Sequence, residues 1–168
     1  ETPLPDVWIR SLLAARDGAL WVGFGTDGTI ARIQDGVVTS FSGTDGLGRG
    51  GVLGLAEDAA GTVWAGGENG LHAFDGHHWK RWDQSRGVPE GTVYSAFVDR
   101  SGNLYVAAGY RVLVRHRGGD RFEPVADFGD TYGSFADTAD GTVWFTDPTT
   151  GYRALGRTDV EGAPDREG

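Results

Sequence analysis

The sequence contains no cysteine and no methionine. A disulfide framework, a thiolate metal site and a cysteine nucleophile are therefore excluded, and composition carries no mark of the redox compartment. Long apolar runs are missing as well. The longest span a few residues, far short of the roughly 20 that cross a bilayer as a helix, so no membrane contact is expected of this segment. The opening ETPLPDVW has neither a basic nor an apolar leader region. With no initiator methionine, the chain is expected to be processed or cut from something larger, any export signal already gone. No window shows apolar residues at a 3.6-residue period, which argues against amphipathic helices. Positive charge is scarce: 15 Lys and Arg against 24 Asp and Glu leave a net charge of −9. Such a field repels phosphate backbones and anionic lipid, so nucleic acid is not an expected partner.

What the chain does have is glycine, 29 of 168 residues, together with 6 Trp, 5 Tyr and 8 Phe. A structureless glycine-rich linker would lack the aromatics. Glycine for turns combined with aromatics for core points to many short strands joined tightly.

An internal repeat gives that composition a form. DGALWVG at 17–23 returns as AGTVWAG at 60–66, SGNLYVA at 101–107 and DGTVWFT at 140–146. Trp21, Trp64, Tyr105 and Trp144 fall in register, spaced by 43, 41 and 39 residues. A period near 40 without helical patterning suits a four-stranded propeller blade. Each unit reads as a first strand, a tight turn at Asp17-Gly18 or its equivalent, a second strand carrying the aromatic, a third strand, a second turn and an outer strand. Asx and Gly at these turns tolerate the positive φ of two-residue hairpins. The expected fold is all-β: four four-stranded antiparallel blades of about 41 residues, at 8–41, 52–82, 93–125 and 133–157. In the last unit the outer strand is poorly marked, and the polar stretch 158–168 reads as a tail or linker. One sheet cannot bury two apolar faces alone; stacking on its neighbours does so, with the in-register aromatic filling the gap.

These residues carry a resemblance. RDGALWVGFGTDGTIARI and EDAAGTVWAGGENGLHAFDG are similar to the two-component regulator propeller repeat, over residues 8 to about 157. That resemblance implies a seven-bladed propeller in the extracytoplasmic, periplasmic sensor portion of bacterial histidine kinases and hybrid regulators. The later units depart from the pattern. Tyr105 stands for Trp, AAGYRV replaces a glycine-rich turn, and WFTDPTTGYR resembles streptogramin-lyase and gluconolactonase-type propellers. Four blades are fewer than the family implies, so a part of a larger propeller, or an arc that pairs with another copy, is expected.

In such a fold the second-to-third-strand loops and the blade connections share one face, where ligands bind. The candidate binding residues there are Asp27, Arg49, Glu68, Asn69, Arg86, Tyr110, Asp130, Tyr132 and Asp147. GLGRGG at 46–51 lacks a following helix, so it reads as a blade connection rather than a phosphate loop. The four histidines, His72, His77, His78 and His116, have no metal-ligand spacing. The Asp-Gly carboxylates repeat with the blade, as turn residues do, and no GxSxG elbow is present. The expectation is a non-catalytic sensor propeller without cofactor, whose partner is a small polar ligand, a saccharide by resemblance, or a neighbouring propeller domain or copy. Two alternatives stay open: a metal-dependent lyase or lactonase working through Asp147, and a protein-binding scaffold.

Overall fold

The computed structural model describes residues 4–129, 132–147 and 151–155. Its strands run in chain order as four antiparallel sheets. β1 (Ile9–Ala14), β2 (Leu20–Phe24), β3 (Ile30–Gln34) and β4 (Val37–Phe41) form the first; β5 (Val52–Glu57), β6 (Val63–Gly67), β7 (Gly70–Phe74) and β8 (Trp79–Trp82) the second. β9 (Val93–Val98), β10 (Leu104–Ala108), β11 (Arg111–Arg115) and β12 (Glu123–Asp127) form the third, and β13 (Phe135–Asp137), β14 (Val143–Asp147) and β15 (Gly151–Leu155) the fourth. The fourth has three strands among the described residues; its expected outer strand and the tail lie outside them. First strands of successive sheets lie side by side, β1 on β5, β5 on β9 and β9 on β13. The result is an unclosed run of propeller blades.

The first turn of each blade differs from the expected two-residue hairpin. Ala15 N–H and the Ala19 carbonyl bond across at 2.8 Å, leaving Arg16, Asp17 and Gly18 in the loop, with Gly18 alone at positive φ, +85°. That is a type I turn closed by a left-handed residue, the three-residue solution. It recurs with Gly61, Gly102 and Gly141. At Asp35-Gly36 both residues are at positive φ and Gln34 pairs directly with Val37, so there the two-residue turn is present.

The core lies between sheets. Trp21 packs with Phe41 of its own sheet and, across the first junction, with Phe74 and Trp79; Trp64 packs with Trp82 of its own sheet and, across the second, with Phe122. Tyr105 joins Phe135, Phe145 and Leu155 across the third. Trp144 is the exception. It is only partly buried, because no described blade follows its sheet.

The connections pin neighbouring blades at their outer edge. Each of the first two makes a 3-10 turn, at Gly43–Asp45 and Gln84–Arg86, then a left-handed glycine, Gly46 or Gly87. A Cβ there would sit 2.0 Å from the Trp79 carbonyl oxygen or 2.1 Å from that of Phe122. The next residue, Leu47 or Val88, is buried in the junction core. Gly87→Ala combines a backbone clash with a strained φ and is expected to cost on the order of 2–4 kcal/mol in urea unfolding. Gly76→Ala, also at positive φ but with no atom within 4 Å of the new Cβ, is expected to cost only about 1–2 kcal/mol.

Candidate functional site

The loop face is organised by the connection from Ser42 to Gly51. This segment threads between the β2–β3 loop and the β6–β7 turn. Gly28 N–H donates to the Gly50 carbonyl at 2.6 Å, and Glu68 N–H to that of Gly51 at 3.0 Å. Two of the candidate residues serve this threading directly. The Glu68 carboxylate accepts from Gly51 N–H at 3.1 Å, and Asn69 Nδ2 donates to the Leu47 carbonyl at 2.9 Å. Asp27 and Arg49 remain outside the network. Both are exposed and line an open groove of about 550 Å³ with Ser42, Thr44 and two glycines. Among the described residues neither forms an ion pair. Asp27 holds φ +51°, a conformation that Asx residues tolerate better than most.

The other candidates belong to other connections. Arg86 lays its guanidinium over the Trp82 ring, 4.4 Å from the centroid, while its carbonyl accepts from Phe122 N–H at 2.8 Å. Tyr110, exposed at φ +64°, accepts from Phe128 N–H through its carbonyl at 3.0 Å. Tyr132 is exposed and meets Tyr94 edge-on, with centroids 5.5 Å apart. Asp147 is fully buried; its Oδ2 pairs with Arg153 at 3.0 Å and accepts from Gly129 N–H at 3.3 Å. Asp130 lies outside the described residues. Asp27, Arg49, Glu68 and Asn69 thus gather at one place, and the rest are distributed along the arc.

A polar cluster that sequence reasoning missed sits between the second and third blades. Asp58 Oδ1 accepts from the N–H groups of Ala60 and Thr62 at 2.9 and 3.0 Å. Its Oδ2 accepts from Trp64 Nε1 at 3.0 Å and from Arg115 Nη1 at 3.3 Å. The Arg115 guanidinium also covers the Trp64 and Trp82 rings, at 5.1 and 5.4 Å. A buried carboxylate with four donors and a cation stacked on two indoles has every charge answered. The signal was available: in register with Arg115 the fourth blade has Leu155 and the first has Ile33, so a cation there needed a partner.

In the first blade the position of Asp58 is occupied by Ala15, and Trp21 Nε1 is buried without an acceptor. In the third, Asp99 binds Asn103 through both oxygens, and burial, then the Asp99 charge and hydrogen bond, push the Tyr105 hydroxyl up to about 12. Among the described residues no three His, Asp or Glu side chains cluster as cation ligands. No described helix is long and apolar enough to cross a membrane.

No protein-family model matches the chain, and no curated protein matches it in sequence. Solved structures match it in fold. The extracellular domain of the hybrid two component system BT3049 from B. thetaiotaomicron is 18% identical, with a TM-score of 0.68 over 90% of this chain and 20% of that one. The extracellular domain of the one component system BT4673 from the same organism is 16% identical, with a TM-score of 0.67 over 92% and 22%. Virginiamycin B lyase from Staphylococcus aureus is also 16% identical, with a TM-score of 0.67 over 88% and 55%. This chain spans about a fifth of the two extracellular domains and about half of the lyase. At these identities the likeness is one of fold, and the fold is that of propeller blades, shared by extracellular domains of two component systems and by an enzyme.

One titration follows from the packing of the second blade. His72 is buried on β7 opposite Arg81, and burial, then the Arg81 charge, push its pKa down to about 4. In the unfolded chain an imidazole titrates near 6.5. Between those values the unfolded state holds a proton that the folded state lacks, so stability falls with falling pH. Stability is expected to be complete above about pH 6.5 and to drop toward pH 4 by up to about 3 kcal/mol from this group. Urea midpoints across that range, compared with His72→Gln, check it: the variant's profile is flatter.

Proposed function

We propose that this chain is a recognition module without catalytic chemistry, a run of propeller blades from the extracytoplasmic, periplasmic portion of a bacterial two-component receptor. It takes a small neutral polar ligand, a saccharide, on its loop face. The observation that carries this reading is the Asp27–Arg49 groove. In a repeat where most Asp and Glu side chains are bound into turns, ion pairs or blade junctions, these two opposite charges stand exposed on one open surface. A carboxylate and a guanidinium together offer acceptors and donors for hydroxyl groups. Rigid sheets below fix the loops that carry them. The extracellular domain of the two component system BT3049, which shares the fold, supports the receptor context.

The lyase neighbour supports a second reading, an enzyme, for which the sequence suggests Asp147 with a divalent metal. Against it, Asp147 is buried and engaged with Arg153 and Gly129. A ligand at 100 times its Kd stabilises the folded state by about 2.7 kcal/mol, which for a chain of this size raises Tm by roughly 5–10 °C. Thermal shift against a panel of neutral oligosaccharides is expected to show such a rise for at least one member, unaffected by chelator. Asp27→Asn, which keeps the tolerated backbone conformation, and Arg49→Ala are expected to remove it. A rise seen with divalent cations alone and lost in Asp147→Ala would contradict the recognition reading in favour of the enzyme. No shift with any saccharide would contradict the ligand class.

A further inference from the structure

The first two blade junctions are built from the same positions and differ in charge. By strand register, Trp21, Phe41 and Trp79 stand at the first where Trp64, Trp82 and Phe122 stand at the second. Phe74 takes the place of Arg115, and Ala15 that of Asp58. The guanidinium and the carboxylate that answer each other at the second junction are thus both missing from the first. The Trp64 Nε1–H donates to Asp58 at 3.0 Å, whereas the Trp21 Nε1–H is buried without an acceptor, on a residue only 2% exposed. Folded proteins leave few buried donors unpaired, and the missing acceptor here has a defined place, beside Ala15.

That place borders a groove of about 770 Å³ between the first and second blades. Ala15, Trp21, Phe41 and Phe74 line it with apolar surface. Three carboxylates line it as well: Asp17 in the β1–β2 turn, Glu57 at the end of β5 and Asp75 in the β7–β8 turn. These turns lie on the face opposite the blade connections. Against the three stands one lining guanidinium, Arg32, which pairs with Asp17 at 2.8 Å. The partners of Glu57 and Asp75 reach in from outside the groove, Arg16 at 3.3 Å and Lys80 at 2.9 Å, on side chains that are 58% and 71% exposed. Ion pairs this exposed are weak, so an entering cation can compete for their carboxylates. The second junction shows what its matching rings accept: the Arg115 guanidinium lies 5.1 Å from the Trp64 centroid and 5.4 Å from that of Trp82.

We propose that this groove binds a small zwitterion carrying a guanidinium and a carboxylate, of which free arginine is the simplest. The ligand supplies from outside the two groups that Arg115 and Asp58 supply within the second junction. Its guanidinium lies against Phe41 and Phe74 and donates to the lining carboxylates. Its carboxylate enters beside Ala15 and accepts from Trp21 Nε1–H. The excess of lining carboxylates and the net charge of −9 draw a cationic group to this place and oppose a simple anion. The site is made by the first two blades alone and shares no residue with the Asp27–Arg49 groove, so it is independent of the ligand proposed for the loop face.

Isothermal titration calorimetry at low salt with three probes tests it: L-arginine, agmatine, which lacks the carboxylate, and L-citrulline, which carries a neutral urea of the same shape. Arginine is expected to bind one per chain with a Kd of about 0.1–1 mM, the range open to so small a ligand. Agmatine and citrulline are each expected to bind about 10-fold more weakly, having lost one charge-assisted contact. The double variant Ala15→Asp, Phe74→Arg rebuilds the pair of the second junction in the first. It is expected to keep the near-ultraviolet dichroism of a packed core and to lose arginine binding at least 10-fold, because both places are then filled. No binding of arginine up to about 10 mM, ten times the weakest expected Kd, would overturn the proposal. So would a folded double variant of unchanged affinity. Equal binding of citrulline would overturn the role of the guanidinium, and equal binding of agmatine that of the carboxylate; these two comparisons use the unaltered protein and stand even if the variant does not fold.

Discussion

Everything in this molecule depends on one blade leaning on the next through a large ring on its second strand. A four-stranded antiparallel sheet of five-residue strands has two faces and cannot bury either by itself. Trp21, Trp64 and Tyr105 each cross a junction into the sheet that follows and anchor a cluster of aromatic and aliphatic side chains there. Burial of such rings, worth roughly 2–3 kcal/mol apiece, is what makes the strands stay paired. The turns and connections then keep the sheets at the spacing that the rings require. Gly46 and Gly87 do so most directly, since any side chain at either position would strike the neighbouring blade's backbone.

The three junctions solve the polar problem of a buried ring in three ways. At the second, Asp58 takes the Trp64 N–H and a guanidinium from the facing blade. At the third, a phenol stands beside Asp99, which is itself tied to Asn103. The first has no such acceptor: Ala15 stands in the place of Asp58, and both Trp21 and Trp79 leave their indole N–H groups buried and unpaired. That junction compensates with rings, Phe41 stacked on Trp21 and Phe74 against both. The three junctions thus differ at a position whose buried polar group is costly to leave unsatisfied.

The run of antiparallel sheets was legible because turn chemistry and the aromatic marker recur together; Trp21, Trp64 and Tyr105 occupy the junctions that their register implied. The turn type at Gly18 was not, since Asp-Gly fits both two- and three-residue loops and only the pairing of Ala15 with Ala19 distinguishes them. Trp144 shows another limit: a sequence marks which residue seeks a neighbour, not whether the neighbour is there. At the loop face, sequence put nine candidates on one rim without grouping Asp27, Arg49, Glu68 and Asn69, and the role of Glu68 and Asn69 as supports for the Ser42–Gly51 connection depends on hydrogen bonds between segments far apart in the chain. Asp58 and Arg115 escaped notice for the same reason, being 57 residues apart. A rigid arc carrying variable polar connections on one face suits recognition, because loops held by sheets can change without disturbing the junctions beneath.

Amide hydrogen exchange of Trp64→Ala, read strand by strand, tests most directly whether junction rings hold the blades together. Removal of the ring empties the second junction, so protection is expected to fall in Val63–Gly67 and equally in Leu104–Ala108, which lies on the far side of it. A loss confined to the sheet that carries the substitution, with Leu104–Ala108 unchanged, would contradict the account: each blade would then be stable on its own, and the packing between them incidental.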